Sequence, residues 1–454
     1  MIDFLKEAAN VVPSRRQLMW FDTNFYAFIH FGVNTFTGME WGEGTEPASV
    51  FNPEKLDCRQ WAKTLKAAGM KGMVLTAKHH DGFCLWPSRY TEHCVKNSPI
   101  KRDVVGEAAK ACEEEGLRFG IYLSPWDRNS AYYGTPSYND YYCNQLEELL
   151  TGYGKLFCIW FDGACGEGKK QEYDFERYIA LIRKHQPEAV VFFDKGPDVR
   201  WCGNEAGTSR FAEWCVVPGE ICPYSEVQTG SGPLAGEGDL SYLYNTDSFV
   251  GSMPNILYSK GLAFVPAEID TSIRPGWFWH QEEEPKPLKK LFEIYLNSVG
   301  GNACLNLNIP PTRDGLLDER DVARLKELRE LLDRELGHPL DATVEKKETG
   351  HPTQPEYVVA LAKPVSRIKY VELREDIAAG QKVETFRIEA VSSTGSQFPL
   401  YQGTTIGNRK ICALVDPFAE QNRLLDDSGD KIDKLLIKIT AARGEVSLKS
   451  ITAM

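Results

Sequence analysis

Residues 72–83 read GMVLTAKHHDGF and residues 156–163 read LFCIWFDG; in each, a short apolar run ends abruptly in polar, chemically capable side chains. A run that is apolar on both faces and delivers polar groups only at its C-terminal end reads as a buried strand of a parallel sheet. Gly72 to His79 and Leu156 to Phe161 are therefore taken as strands. Working outward, six further runs fit: Phe25 to Val33, Arg118 to Leu123, Ala189 to Phe193, Phe211 to Val217, Leu262 to Ala267 and Cys304 to Ile309. Helical patterns separate them at Cys58 to Ala68, Val104 to Glu115, Tyr141 to Thr151 and Phe175 to Lys184. In the last, Phe175, Tyr178, Ile179 and Ile182 form one apolar stripe. This alternation predicts an α/β fold, an irregular (β/α)8 TIM-like barrel. The stretch from Ala206 to Leu262, rich in Gly, Ser, Pro and Tyr, predicts a loop-heavy second half.

A charged helix, Asp318 to Leu336, turns Val322, Leu325, Leu328, Leu332 and Leu336 inward and stops at Gly337 and Pro339. Beyond a polar linker, Thr343 to Pro355, the pattern changes to short strands at Tyr357 to Ala362, Ile368 to Leu373, Val383 to Ala390, Leu435 to Ile439 and Val446 to Ile451. Two modules are expected, a catalytic barrel over 1–340 and a C-terminal antiparallel β-sandwich over 341–454; at 454 residues the chain exceeds the roughly 250–300 that one core spans.

The net charge of −12, with no basic patch, argues against nucleic acid or an anionic membrane surface as partner. No apolar run approaches the ~18 residues of a membrane span. The 12 cysteines are scattered without a CxxC pair, which suits reduced packing thiols better than a zinc framework. Met1 to Arg16 carries charges and no long apolar core, so no signal peptide is expected and the location is expected to be cytoplasmic, unless a leader has been trimmed. The oligomeric state is not legible in the sequence.

In a parallel barrel the chemistry sits at the C-terminal ends of the strands. The first run ends His30-Phe31-Gly32, the second Lys78-His79-His80-Asp81, the third Ser124-Pro125-Trp126-Asp127 and the fourth Trp160-Phe161-Asp162-Gly163; downstream comes Asp198-Val199-Arg200-Trp201-Cys202-Gly203-Asn204-Glu205. Carboxylates, histidines and tryptophans gathered at one mouth are what glycoside hydrolysis needs. Two carboxyl groups flank the bond, donors and acceptors hold ring hydroxyls, and aromatic walls cover apolar sugar faces. A metal site on His79, His80 and Asp81 is the rival. It is disfavoured because neighbours on a strand point to opposite faces.

The ordered words FIHFGVNTF, EWG, LTAKHHDGF, WFDGA and DVRWCGNE resemble the α-L-fucosidases of glycoside hydrolase family 29. AEIDTSIRPGWFWH, LNIPP and REDIAAGQKVETF are similar to the branch that acts on α-1,3 and α-1,4 fucosyl groups. The resemblance implies a cofactor-independent, metal-free, retaining exo-α-L-fucosidase that removes terminal α-1,3/1,4-linked fucose from a fucosylated oligosaccharide. A broad-specificity fucosidase and a non-catalytic fucose-binding protein on the same scaffold are the alternatives.

By that resemblance Asp162 is the nucleophile and Glu205 the acid/base, with Glu40, Glu213 and Glu268 as competitors for the second role. The family's retaining geometry would set the two carboxyl groups roughly 5 to 5.5 Å apart. His30, His79 and His80 match positions that bind fucose hydroxyls, and Glu40 and Trp41 match a carboxylate acceptor and an aromatic wall. Trp126 and Trp160 are candidate surfaces for the C6 methyl, or barrel core. Arg200 either orders the nucleophile or a hydroxyl, or forms a structural ion pair. Cys84, Cys165 and Cys202, close to the motifs, are expected to be packing groups.

Overall fold

The computed structural model describes residues 2–166, 168–238, 240, 250–414 and 431–454. Eight strands form one parallel sheet: β1 (Phe25–Ile29), β2 (Gly72–Lys78), β3 (Arg118–Leu123), β4 (Leu156–Trp160), β5 (Val190–Phe192), β6 (Arg200–Trp201), β9 (Ala267–Ser272) and β10 (Cys304–Asn308). β7 (Val216–Pro218) and β8 (Leu262–Phe264) lie outside it. The order is β5-β4-β3-β2-β1-β10-β9-β6. A parallel bridge from Phe192 to Val199, just before β6, all but closes the barrel. Every residue of β1, β2 and β4 is buried, because the lumen takes one face and the helices the other.

The flanking helices follow from their caps. Asp57 accepts from the backbone of Arg59 and Gln60 at the start of Cys58–Ala67, and Asp103 from Gly106 at the start of Val104–Glu115. That second helix stops at Gly116, whose φ of +71° glycine adopts without strain. The helix expected from Tyr141 begins earlier, at Ser137, directly after Pro136. Glu319–Leu336, capped by Asp318, buries Leu325, Leu328, Leu331 and Leu332, with Val322 and Leu336 partly buried against the same core.

Two of the eight expected barrel strands are elsewhere. Phe211 is 72% exposed; only the end of its run is extended, as β7, which pairs antiparallel with β8 in a separate ribbon. β6 and β9 occupy the barrel positions instead. β9 reads AEIDTS, and its Glu268 and Asp270 are buried. A criterion of continuous apolar character passes over such a strand and selects the ribbon, which is apolar because it packs into its own cluster with Val217, Ala263 and Val265. Part of the irregular stretch expected over 206–262, at 239 and 241–249, lies outside the described residues.

The C-terminal sheets are antiparallel. One has the order β11-β12-β17-β14-β15 and the other β16-β13-β18, with Val359, Leu373, Phe386, Ile388, Leu435 and Ile437 in one buried cluster. Their spans are β11 Ala342–Lys347, β12 Glu356–Val365, β13 Tyr370–Glu375, β14 Val383–Ser392, β15 Gln397–Gly403, β16 Lys410–Ala413, β17 Ile432–Ala442 and β18 Leu448–Ala453. The first part of the expected linker is thus an edge strand, β11. All six of its residues are exposed, so no inside-outside alternation marks it in the sequence.

This module is held to the barrel flank by specific contacts. Gln381 accepts from the backbone of Cys215 at 2.7 Å and donates to the carbonyl of Glu213 at 3.0 Å, and the Arg443 guanidinium lies 3.5 Å over the Trp214 ring.

Candidate active site

The C-terminal ends of the barrel strands surround a cavity of about 530 Å³. His30 follows β1, His79 and His80 follow β2, and Asp162 follows β4. All four line the cavity, as do Trp160, Glu205, Glu40 and Trp41.

Asp162 is held by two hydrogen bonds, with an imidazole beside it. The Tyr122 hydroxyl donates to its Oδ2 at 2.9 Å, the backbone N–H of Ala164 donates to Oδ1 at 2.7 Å, and His80 Nε2 lies 3.7 Å from Oδ2. Burial and the Asp162 charge push the Tyr122 hydroxyl far above its usual range, so it remains a donor. Tyr122 stacks on Trp160 at 5.3 Å between centroids. The Trp160 indole donates at 2.8 Å to Glu268, which also accepts from Tyr26 and, at 3.1 Å, from Asn306. Glu268 is fully buried and burial raises it to about 7. It braces the Trp160 wall from behind and is no competitor for a proton donor in the cavity.

The histidines are neutral imidazoles. Burial lowers His30 to about 4 and lowers His79 and His80 as well, although the Asp162 charge opposes it at His80. Their hydrogen bonds assign tautomers. Asn308 Nδ2 donates to the carbonyl of Trp277 at 2.7 Å and to Ser272 Oγ at 3.0 Å, so its Oδ1 accepts from His30 Nδ1 at 2.9 Å. Ser124 donates to the carbonyl of Trp126 at 2.6 Å and accepts from His80 Nδ1 at 2.8 Å. His30 and His80 are therefore left with Nε2 as an acceptor.

His79 and His80 both face the cavity, with rings 4.1 Å apart, so the expectation that neighbours diverge does not apply: β2 has already ended at Lys78. Among the described residues no group of three or more His, Cys, Asp or Glu is arranged to hold a metal ion. Behind this corner, Lys78 forms a fully buried ion pair with Asp127 at 2.9 Å.

Glu205 stands on the loop after β6, an exposed residue at the lip. Partial desolvation raises its carboxyl, the charges of Asp162 and Glu40 raise it further, and the neighbouring Trp277 side chain partly offsets them. Glu40 accepts from the backbone of Trp277 at 2.8 Å and of Phe278 at 3.3 Å, and meets His280 Nε2 at 3.0 Å. It fixes the loop that brings Trp277 to the cavity. A Cβ on Gly276 would come within 2.6 Å of the Glu40 carboxylate, which is why that loop needs glycine there.

Two expected ligand residues are placed elsewhere. Trp126 lines an adjoining hollow of about 370 Å³ with Arg128 and Tyr133, and meets Trp41, which both cavities share, at 5.5 Å between centroids. Arg200 does not reach the cavity. It is 3% exposed, pairs with Glu213 and donates to the carbonyls of Trp214 and Val265. Alternation along a strand explains this, since Trp201, the next residue of β6, is the one that lines the cavity. The same pair removes Glu213 from the competitors for proton donor. Arg200→Met should therefore act through stability. Of its ion pairs Glu213 would keep only the longer one, with Arg210 at 3.8 Å, so the loss should cost about 3 kcal/mol in chemical denaturation, with KM of the surviving enzyme little changed.

Among the cavity residues not anticipated are Tyr122, Asp194, Trp201, Asp270 and Trp277. Asp270 was hidden because the seventh strand was expected to end at Ala267, three residues before it. Cys84 and Cys202 are buried thiols that suit packing, whereas Cys165 is exposed.

Paired carboxyl groups, neutral imidazoles and tryptophan walls at the mouth of a parallel barrel define the class, a TIM-barrel glycoside hydrolase. A family model described as alpha-L-fucosidase matches residues 45–208. Alpha-L-fucosidase 1 of Arabidopsis thaliana is 38% identical over 437 residues, covering 89% of this chain and 82% of that protein. Among solved structures, a glycoside hydrolase 29 family member from an unknown rumen bacterium matches with TM-score 0.81 and 36% identity, covering 98% of this chain and 77% of the other. A Ruminococcus gnavus GH29 fucosidase in complex with fucose matches with TM-score 0.80 and 28% identity, covering 98% and 95%. The chain belongs to the α-L-fucosidases of glycoside hydrolase family 29.

Proposed function

We propose that this protein is a retaining exo-α-L-fucosidase that releases terminal α-1,3/1,4-linked fucose from glycans. The observation that carries the reading is that Asp162 and Glu205 line one cavity, with the charge of the first raising the carboxyl of the second. Asp162 attacks the anomeric carbon and forms a covalent fucosyl-enzyme while Glu205 protonates the leaving oxygen; Glu205 then takes a proton from the water that opens the intermediate. His80 Nε2, an acceptor 3.7 Å from Asp162 Oδ2, suits a sugar hydroxyl that donates to it. Trp160 offers the C6 methyl an apolar wall. NMR should show α-L-fucose as the first-formed anomer from an α-fucoside; β-L-fucose appearing first would exclude the covalent route.

The adjoining hollow supports a branched substrate, because it continues the cavity past the shared, exposed Trp41 and has Trp126 in its lining. Trp126→Ala should lower kcat/KM about tenfold on a Lewis-type trisaccharide, in keeping with the loss of one stacked ring, and far less on an aryl fucoside. Equal losses on both substrates would remove the case for that hollow. A soluble cytoplasmic setting remains part of the proposal and is checked by locating the protein in fractionated cells.

A further inference from the structure

Asp270, near the end of β9, lines the cavity, is 4% exposed and has no part in the mechanism above. Its Oδ1 accepts from the Trp201 indole at 2.7 Å. The two charged groups that act on it are both acids: Glu268, two residues back on its own strand, and Glu205, on the loop after β6. Asn306, its register partner on β10, is neutral. Burial first, then these acids, raise the Asp270 carboxyl well above its usual range, partly offset by the Trp201 hydrogen bond.

The wall around it is short of donors. The indole N–H of Trp160 is taken by Glu268 and that of Trp201 by Asp270, while the Tyr122 hydroxyl is taken by Asp162. His30 and His80 present acceptors. None of these groups offers a free N–H or O–H beside Asp270; His79, whose Nδ1 accepts from Asn34 Nδ2 at 3.5 Å, keeps an Nε2–H at the end of β2.

We infer that Asp270 works as a neutral carboxylic acid, its Oδ1 fixed by Trp201 and its O–H donating to an oxygen of the bound sugar. The sugar's identity rests on the fucosidase reading; the state of the carboxyl does not. Asparagine reproduces the same pair of functions, an acceptor oxygen and a donor, whereas alanine removes both.

The test compares Asp270→Asn with Asp270→Ala in L-fucose calorimetry and in kcat/KM on a nitrophenyl α-L-fucoside, with thermal unfolding as a check on folding. Losing a buried polar partner should lower binding and kcat/KM by about 10- to 100-fold in Asp270→Ala, and Asp270→Asn should recover all but about fivefold. Infrared difference spectra of wild type against Asp270→Asn at neutral pH should show one protonated-carboxyl band lost on substitution, over the Glu268 signal common to both. An Asp270→Asn enzyme that folds yet is as impaired as Asp270→Ala overturns the inference, and so does absence of the band. Failure of the wild type to bind fucose or cleave a fucoside would instead overturn the functional reading, and the infrared band would still decide the state of Asp270.

Discussion

Asp162→Ala should abolish turnover, lowering kcat on a nitrophenyl α-L-fucoside by about 10⁴- to 10⁶-fold, the range for loss of a covalent nucleophile. The competing view of Asp162 is local. Its Oδ1 accepts from the backbone of Ala164 two residues on, the geometry of a turn-capping aspartate. A cap contributes about 1 kcal/mol to stability and nothing to chemistry, so magnitude separates the two. Three further features oppose the local view: the Tyr122 hydroxyl is directed at the other carboxylate oxygen, His80 stands 3.7 Å away, and the group faces the cavity. Azide supplied to the alanine variant fills the space of the lost carboxylate and attacks the anomeric carbon from the same face. The expected product is β-fucosyl azide. Wild-type activity in a folded Asp162→Ala protein would leave the barrel without a nucleophile and end the retaining mechanism.

The first half of the barrel was legible because β1 to β5 are buried on both faces and read as apolar runs with functional residues at their ends. His30, His79, His80 and Asp162 were found that way. The second half was not. β6 has two residues, and β9 turns Glu268 and Asp270 into the interior, so polar character that normally signals a loop belongs here to a strand. The physical cause is that this part of the lumen is lined with hydrogen-bonded acids that brace the tryptophan walls. Arg200 and Trp201 show a second limit. One step along a strand exchanges cavity for core, and no motif fixes which of two adjacent residues faces inward until the register is known. Tyr122 lay inside a correctly expected strand, yet nothing in its run distinguishes a lumen tyrosine that bonds a carboxylate from one that only packs.

Glu205→Ala should produce the second large loss, and one that depends on the leaving group. On a glycan, whose leaving alcohol needs a proton, kcat/KM should fall by about 10²- to 10⁴-fold. On an activated nitrophenyl fucoside the first step needs little proton transfer, so the loss should be much smaller and the fucosyl-enzyme should accumulate. Azide then opens that intermediate without a general base and should yield α-fucosyl azide, the opposite anomer from that of Asp162→Ala. The pH profile adds an independent check. Partial desolvation and the charges of Asp162 and Glu40 raise the Glu205 carboxyl, so the wild type keeps its acid form to higher pH than an ordinary glutamate. Removing the Glu40 charge in Glu40→Gln should move the basic limb of kcat/KM to lower pH, and in Glu205→Ala that limb should vanish. Should the limb persist in Glu205→Ala, with no azide product formed, the proton would have to come from another acid. Asp270 is then the group to test next, because it lines the same cavity and burial raises its carboxyl well above the usual range.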